Sequence, residues 1–435
     1  MSEVESGNPR SGFRDHRSLR RNVSALLVDS GAFGGALGFI GYSTVLPAMA
    51  LALSNSEPFV GLITTIYTGM WLLPQLPAGR WMAGRPYKKP VLLKAAFWSR
   101  IGLVFFAIAL ALNLNPALLA IMLIVVLAAF RGGDAVAAVA WFDIISKVLP
   151  PNVRGRVLGW TQSVAFVTMF LSSFVVAWAL GSSGPNFPYN YALLMGGAAA
   201  ATFVSLFALL FLIEPRGDVS NNVSAQMNVQ AHVRHIFKTD PAFRLNAIGR
   251  LLIGGIGLAT PFYVVQAIEV LHVPENSIGL FLAAQTLGGV ASSLILGSVS
   301  QRRGSHIVIR ATMLLALIPP VMALYLNIFA RNNSTLAAAG CVLIFAAMGA
   351  TDGSFLLGFL QQILDIAPPA ERTAYTGLAN TIGGLTVIAP TIGGLLLQAT
   401  SFAVLFIVTA LFPVLGLLVA LRMRRAQPAE WNDAG

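Results

Sequence analysis

This sequence predicts an all-α membrane protein, twelve transmembrane helices arranged as two parallel repeats of six, and three observations carry the prediction. Of 435 residues 56% are hydrophobic and 10% charged, with mean hydropathy +0.75, whereas a soluble chain carries about 25% charged residues. Apolar runs of about 20 residues, the length that crosses a bilayer, recur along the whole chain between turn-rich or charged breaks. The second half also repeats landmarks of the first at one constant offset.

Taken in order, residues 1–24 form a basic tail that carries Arg10, Arg14, Arg17, Arg20 and Arg21. The apolar run 25–53 follows; a signal-peptide core is about 7–15 residues, so this longer run reads as a retained first span. Runs at 59–80, 90–112, 117–149, 156–181 and 191–213 complete an N-terminal bundle over 25–213. The polar stretch 214–242 is a linker with room for a short surface helix. Runs at 243–270, 277–299, 306–329, 336–366, 373–397 and 401–421 form a C-terminal bundle over 243–421, before a tail at 422–435. Connections on the side of the termini hold nearly all the Lys and Arg, while the opposite ones hold only Arg331. That bias places both termini in the cytoplasm, and the expected location is the inner (plasma) membrane of a bacterium.

A shift of 218 residues lays Asp134 on Asp352, Pro150-Pro151 on Pro368-Pro369, Arg154 on Arg372 and Gly159 on Gly377. It also joins Gly61 to Gly279 and Gly79 to Gly297. Six spans is an even number, so the halves insert in the same direction, with a polar cavity expected between them at mid-membrane.

Several function classes are excluded. The net charge of +11 could suggest nucleic acid, but the basic residues lie in short connections where they set orientation. Cys341 is the lone cysteine, and the five histidines have no metal-ligand spacing, so neither disulfide framework nor metal site is expected. No phosphate-cradling loop argues for direct ATP drive and no nucleophile elbow or His-Cys-carboxylate cluster argues for an enzyme. No cofactor is implied.

The organisation resembles the major facilitator superfamily over nearly the whole chain. Gly79-Arg80-Trp81-Met82-Ala83-Gly84-Arg85-Pro86-Tyr87-Lys88-Lys89 is similar to the family's loop between spans two and three, with Ala83 in place of an Asp and Pro86 in place of a Gly. Gly297-Ser298-Val299-Ser300-Gln301-Arg302-Arg303-Gly304 is its second copy, with Gln301 for the Asp. Arg154-Gly155-Arg156 with Gly159 looks like the loop after span four. Arg131-Gly132-Gly133-Asp134 resembles a span-four pattern of proton-coupled exporters, with Asp134 for its Gln; the exporters' glycine-rich span-five pattern is absent. Pro390-Thr391-Ile392-Gly393-Gly394 has a similar look but lies in span eleven.

Charges at mid-membrane cost roughly 2.5–3.5 kcal/mol each on an insertion scale, so each needs a partner or a wet cavity. Arg131 has Gly349 at its repeat position, and an unmatched charge suits substrate binding or proton coupling; a structural pair with Asp134 is the alternative. Asp134 and Asp352 are candidate proton carriers or matched scaffold. Asp29 and Arg250 lie near the cytoplasmic ends of spans one and seven, where they could pair across the halves as an inner gate, or remain solvated. Arg100 in span three needs an anion, with Asp134 one candidate. Asp143 and Asp365 are expected to interlock with the loop cations Arg85, Lys88, Arg154, Arg156, Arg302, Arg303 and Arg372, in loops that Gly79 and Gly297 open. The glycine stripe Gly31, Gly34, Gly35, Gly38 permits close helix packing or sliding. Tyr42, Tyr67, Trp71, Gln75, Gln162, Tyr263, Gln285, Tyr375 and Asn380 are candidate cavity residues.

The reading is a monomeric secondary transporter in the lipid bilayer that works by alternating access, moving a small-molecule substrate with protons in the direction of efflux. Nutrient uptake, facilitated diffusion, or a non-transporting protein of the same fold are the alternatives.

Overall fold

The computed structural model describes residues 16–216, 236–237, 239–368 and 371–424. Most of the terminal tails, His232, His235 and most of the expected linker with its surface helix lie outside the described residues. Twelve helices are long and apolar enough to cross a membrane, and no strand occurs among the described residues. They are α1 (Arg17–Ser54), α2 (Glu57–Met82), α3 (Lys89–Ala111), α4 (Pro116–Val148), α5 (Pro151–Ala179) and α6 (Tyr189–Leu210) in the first half. The second half holds α7 (Pro241–Glu269), α8 (Ser277–Arg303), α9 (Ser305–Phe329), α10 (Ser334–Ile366), α11 (Tyr375–Ala399) and α12 (Phe402–Arg422).

The starts of these helices follow from local chemistry. Proline stands in the first turn of α2, α3, α4, α5 and α7, where its missing N–H has no helical partner to lose. Asn115 accepts a hydrogen bond from the Ala117 amide at 2.9 Å, and Asp240 accepts from Ala242 and Phe243, both at 2.9 Å, which satisfies orphan donors. Outward faces are as apolar as the core: Ile121 and Val125 on α4 are each 60% exposed. Such a surface is stable only against hydrocarbon, the solvent it matches.

Packing repeats with the sequence. In the first half α1 packs on α5 and α6, α3 on α4 and α6, and α2 on α4; in the second α7 packs on α11 and α12, α9 on α10 and α12, and α8 on α10. The halves meet chiefly where α2 lies along α11 and α5 along α8, two contacts that the 218-residue shift exchanges. Glycine makes both contacts possible. A Cβ on Gly61 would lie 2.2 Å from the Pro390 carbonyl oxygen, and one on Gly279 2.3 Å from that of Ser173. At the other end Gly79, Gly84, Gly155, Gly159, Gly377 and Gly383 have no neighbour within 4 Å of such a Cβ. The halves are therefore sealed at the face remote from the termini and part toward the face that carries them.

The glycine stripe of α1 faces α5 inside one half. A Cβ at Gly34 would sit 2.4 Å from the Ala165 oxygen, and Thr168 and Ser172 donate to the Gly31 and Gly35 carbonyls at 2.6 and 3.0 Å. Side chains that lock the two backbones together favour the packing alternative over sliding. The Pro390–Gly394 stretch turns out to be the contact surface of α11, where Gly393 meets Leu258 of α7 and Gly394 meets Glu57 of α2.

Candidate functional site

Several of the spans that frame the interior are interrupted. α1 breaks at Gly41, whose φ of +47° is open to glycine at little cost, and a Cβ there would fall 2.6 Å from Thr44 Oγ1. α7 tightens to a 3-10 turn at Gly255–Leu258, α11 does so at Leu385–Ile388, and α10 widens to a π turn at Leu356–Leu360. These interruptions turn polar groups toward the space between the halves.

The break in α1 presents Tyr42 and Ser43 to the second half. Tyr42 donates its hydroxyl to Asp352 Oδ2 at 2.9 Å, and Ser43 donates to Gln285 Oε1 at 2.8 Å. The Gln285 amide closes the ring with a 3.5 Å contact to Asp352. Tyr42 stacks on Tyr67, centroids 6.0 Å apart and planes 6° from parallel. The Arg131 guanidinium lies 4.3 Å above the Tyr67 ring and 5.6 Å from that of Trp71. Its Nε donates to the Tyr67 carbonyl at 3.0 Å, and Nη1 meets Asp134 Oδ2 at 3.0 Å. A chain of ionic, ring and hydrogen-bond contacts thus runs from Asp134 through Arg131, Tyr67 and Tyr42 to Asp352.

Two cavities flank this path. The larger, about 730 Å³, is lined by Arg131, Tyr67, Gln162, Gln285, Ser293 and Asp352 among others. The smaller, about 260 Å³, is lined by Arg250, Thr64, Thr260, Thr386 and Asp352. Tyr42, Thr68 and Asp352 border both, so the Tyr42–Asp352 hydrogen bond forms part of the partition. Asp134 is neutralised by Arg131, whereas Asp352 has hydroxyl and amide partners and no ion pair among the described residues.

The residues expected to form the inner gate stand apart in this structure. Asp29 accepts from Trp141 Nε1 at 2.9 Å and from Ser205 Oγ at 2.5 Å, so it is turned into the first bundle, away from the cavity. Arg250 donates to Asn380 Oδ1 at 3.1 Å and lies over Phe355 at 5.3 Å. Arg100 donates to Ser205 at 3.2 Å, within electrostatic reach of Asp29 and of Asp134. Ser205, which accepts from Arg100 and donates to Asp29, joins the two, and Arg100 forms no ion pair among the described residues.

The loop interlock takes a different form from the expected one. Asp143 pairs with Lys147 of its own helix at 2.6 Å, and Lys147 also meets Glu214 at 3.1 Å. Glu214, assigned from sequence to the linker, has a side chain only 2% exposed and accepts from the amides of Lys88 at 2.9 Å and Lys89 at 2.7 Å. Lys88 donates its ammonium to the carbonyls of Met82 and Arg85, the latter at 2.7 Å. Burial draws that ammonium below the usual lysine value, against the opposing pull of Asp143. Arg154 donates to the Ser146 and Leu149 carbonyls at 2.7 and 3.1 Å, and Arg85 stacks on Trp81 at 3.9 Å. In the second half Asp365 accepts from Ser305 at 3.0 Å instead of from a cation, while Arg156, Arg302, Arg303 and Arg372 are exposed. Gly79 faces open space, and a Cβ on Gly297 would meet only Leu357 Cδ1 at 3.9 Å.

Of the polar candidates, Tyr42, Tyr67, Gln162 and Gln285 line the larger cavity, and Asn380 holds Arg250. Gln75 bonds back to the Trp71 carbonyl, Tyr263 stacks on Phe406, and Tyr375 packs edge-on to Phe243. Ser43 was missed; the Gly-Tyr-Ser-Thr interruption at 41–44 in an otherwise apolar run is the signal that could have found it.

The sequence model described as Major Facilitator Superfamily matches residues 29–387 and, in a second match, 251–435. No curated protein sequence matches the chain. Among solved structures, a bacterial homologue of the human lysosomal transporter Spinster, in an inward-facing and unoccupied conformation, is similar at 16% identity with a TM-score of 0.63, over 95% of this chain and 100% of that one. The nucleoside transporter NupG is similar at 12% identity and TM-score 0.66, over 93% and 100% of the two chains. A D-xylose–proton symporter follows at 13% identity and 0.64, over 94% and 98%. At these identities the likeness is one of fold.

Proposed function

This chain belongs to the major facilitator superfamily, and on that premise we propose that it moves a small organic solute by alternating access, driven by protons and in the direction of export. The fold is a transporter's, and its structural neighbours carry different cargoes, so the reading rests on this chain's own centre. One observation carries it: Asp352, a carboxylate without an ion-pair partner, borders both cavities and is bonded across the halves by Tyr42 at 2.9 Å.

Ionised, Asp352 accepts from both Tyr42 and Gln285; protonated, it gains a donor and loses acceptor capacity. Proton uptake therefore weakens a link between the halves, and proton release restores it. The sealed α2–α11 and α5–α8 contacts, against the splayed opposite face, support an assignment of this conformation as open to the side of the termini. The bias of Lys and Arg supports taking that side as cytoplasmic. Export follows the resemblance of Arg131-Gly132-Gly133-Asp134 to the span-four pattern of proton-coupled exporters.

The test is flux in proteoliposomes with an imposed pH step. Solute movement that follows the proton gradient, collapses with an uncoupler and is absent in Arg131→Ala supports the reading. Saturable solute binding without flux would move the protein to the class of non-transporting members of this fold.

A further inference from the structure

Among the described residues, Arg250 is a cavity-facing cation with no ion-pair partner. Its side chain is 6% exposed and lines the 260 Å³ cavity. Nη2 alone has a partner, the neutral amide of Asn380, while Nε and Nη1 have none. No ion pair reaches it among the described residues. By contrast Arg131, which also borders the interior, is neutralised by Asp134.

Burying a guanidinium without a counter-ion is strongly unfavourable, and its two unused N–H groups add to the deficit. An oxyanion removes both at once, because the guanidinium fork matches a carboxylate or sulfonate in two parallel hydrogen bonds. The surroundings are polar and aromatic: Thr64, Thr260 and Thr386 border the cavity with hydroxyls that donate to carbonyls of their own helices, and the Phe355 ring backs the guanidinium. Position suits such a ligand. Arg250 lies nine residues into α7, roughly 13 Å from the splayed face at 1.5 Å per residue. A solute from that face meets Arg250 before it reaches Asp352. The repeat position of Arg250 is Ala32, so this charge breaks the symmetry of the duplicated scaffold, as a group for the cargo should.

We infer that the transported solute is an organic anion whose acidic group is seated on Arg250. This rests on the transporter reading and names its substrate class.

Purified full-length protein is followed by thermal unfolding with two pairs of probes, benzenesulfonate against benzenesulfonamide and succinate against succinamide, at constant ionic strength. At least one acid should raise the melting temperature while its neutral amide does not, since a ligand that binds only the folded state stabilises it. Arg250→Gln should lose that shift completely, Arg250→Lys should keep part of it, and the exposed Arg302→Gln should keep all of it. Without ligand, Arg250→Gln should melt above the parent, because an uncompensated buried charge has gone; a purely structural arginine predicts the opposite. No acid surpassing its amide, or an acid shift that survives in Arg250→Gln, overturns the inference. Flux in proteoliposomes separates this from the broader reading. Carriage of a neutral probe untouched by Arg250→Gln refutes the anion assignment and leaves transport standing; acid binding at Arg250 without flux does the reverse.

Discussion

Gly61→Ala adds a single methyl group where α2 crosses α11. Its carbon would lie 2.2 Å from the Pro390 oxygen, 2.8 Å from the Pro390 carbonyl carbon and 3.0 Å from Thr391 Cα. Carbon contacts settle at about 3.5–4.0 Å, so the two helices must separate by roughly 1 Å. All three obstructing atoms belong to backbone, which cannot rotate aside as a side chain would. The separation also strains the hydrogen bonds from Thr391 to Thr65 Oγ1, 2.8 Å from the hydroxyl and 3.2 Å from the amide. Overpacking of this kind costs about 1–3 kcal/mol. The penalty falls on the conformation sealed at this face and not on one in which the contact is already open. The ratio of sealed to unsealed conformers should therefore drop about 5–150-fold. Accessibility reads the change directly. In a Cys341→Ser background, Ser293→Cys puts one thiol on the larger cavity, and a membrane-impermeant maleimide is applied from the face of the termini. Gly61→Ala should slow that labelling, and Gly279→Ala should do the same through Ser173. Gly79→Ala meets nothing within 4 Å and should leave labelling unchanged, with stability raised by up to about 1 kcal/mol from helix propensity. Unaltered labelling and melting in Gly61→Ala would refute the claim that glycine permits the seal.

Other consequences can be checked alongside. Asp352→Asn should abolish solute accumulation driven by a pH step yet preserve solute exchange without a gradient; loss of both, or of neither, argues against a coupling role. Glu214→Gln leaves the amides of Lys88 and Lys89 and the Lys147 ammonium with a weaker acceptor, and should destabilise the protein by about 1.5–3 kcal/mol in thermal unfolding. Tyr42→Phe removes the hydroxyl that reaches Asp352 and should shift the pH dependence of flux while keeping the ring stack on Tyr67; an unmoved profile would separate the bridge from the proton. Cysteines at Glu57 and Glu275, starts of repeat-related helices, should label from the same side of the bilayer, and Arg85→Cys from the other.

Span number, duplication and family were legible because each is a property of runs and spacings that hydrocarbon enforces. A helix that satisfies its own backbone and shows an apolar surface needs no distant partner to be recognised. Arg131 and Asp134 could be paired from sequence for the same reason, since three residues along a helix is local geometry. The separate partners of Asp29 and Arg250 were hidden on the opposite ground. Which way a buried carboxylate turns is decided by the helices packed against it, and here Ser205 and Trp141 come from α6 and α4. Glu214 was hidden by standing at the edge of a polar stretch; only the fold carries it back under α3.

By itself, then, the amino-acid order determined a twofold set of apolar helices and the residues too costly to leave there without a purpose. Tertiary packing alone decided which of those charges find partners and which are left facing a cavity. The physical reason is range: hydropathy and helical periodicity act within a span, while the compensation of a buried charge depends on groups up to hundreds of residues away, as the contact between Tyr42 and Asp352 illustrates.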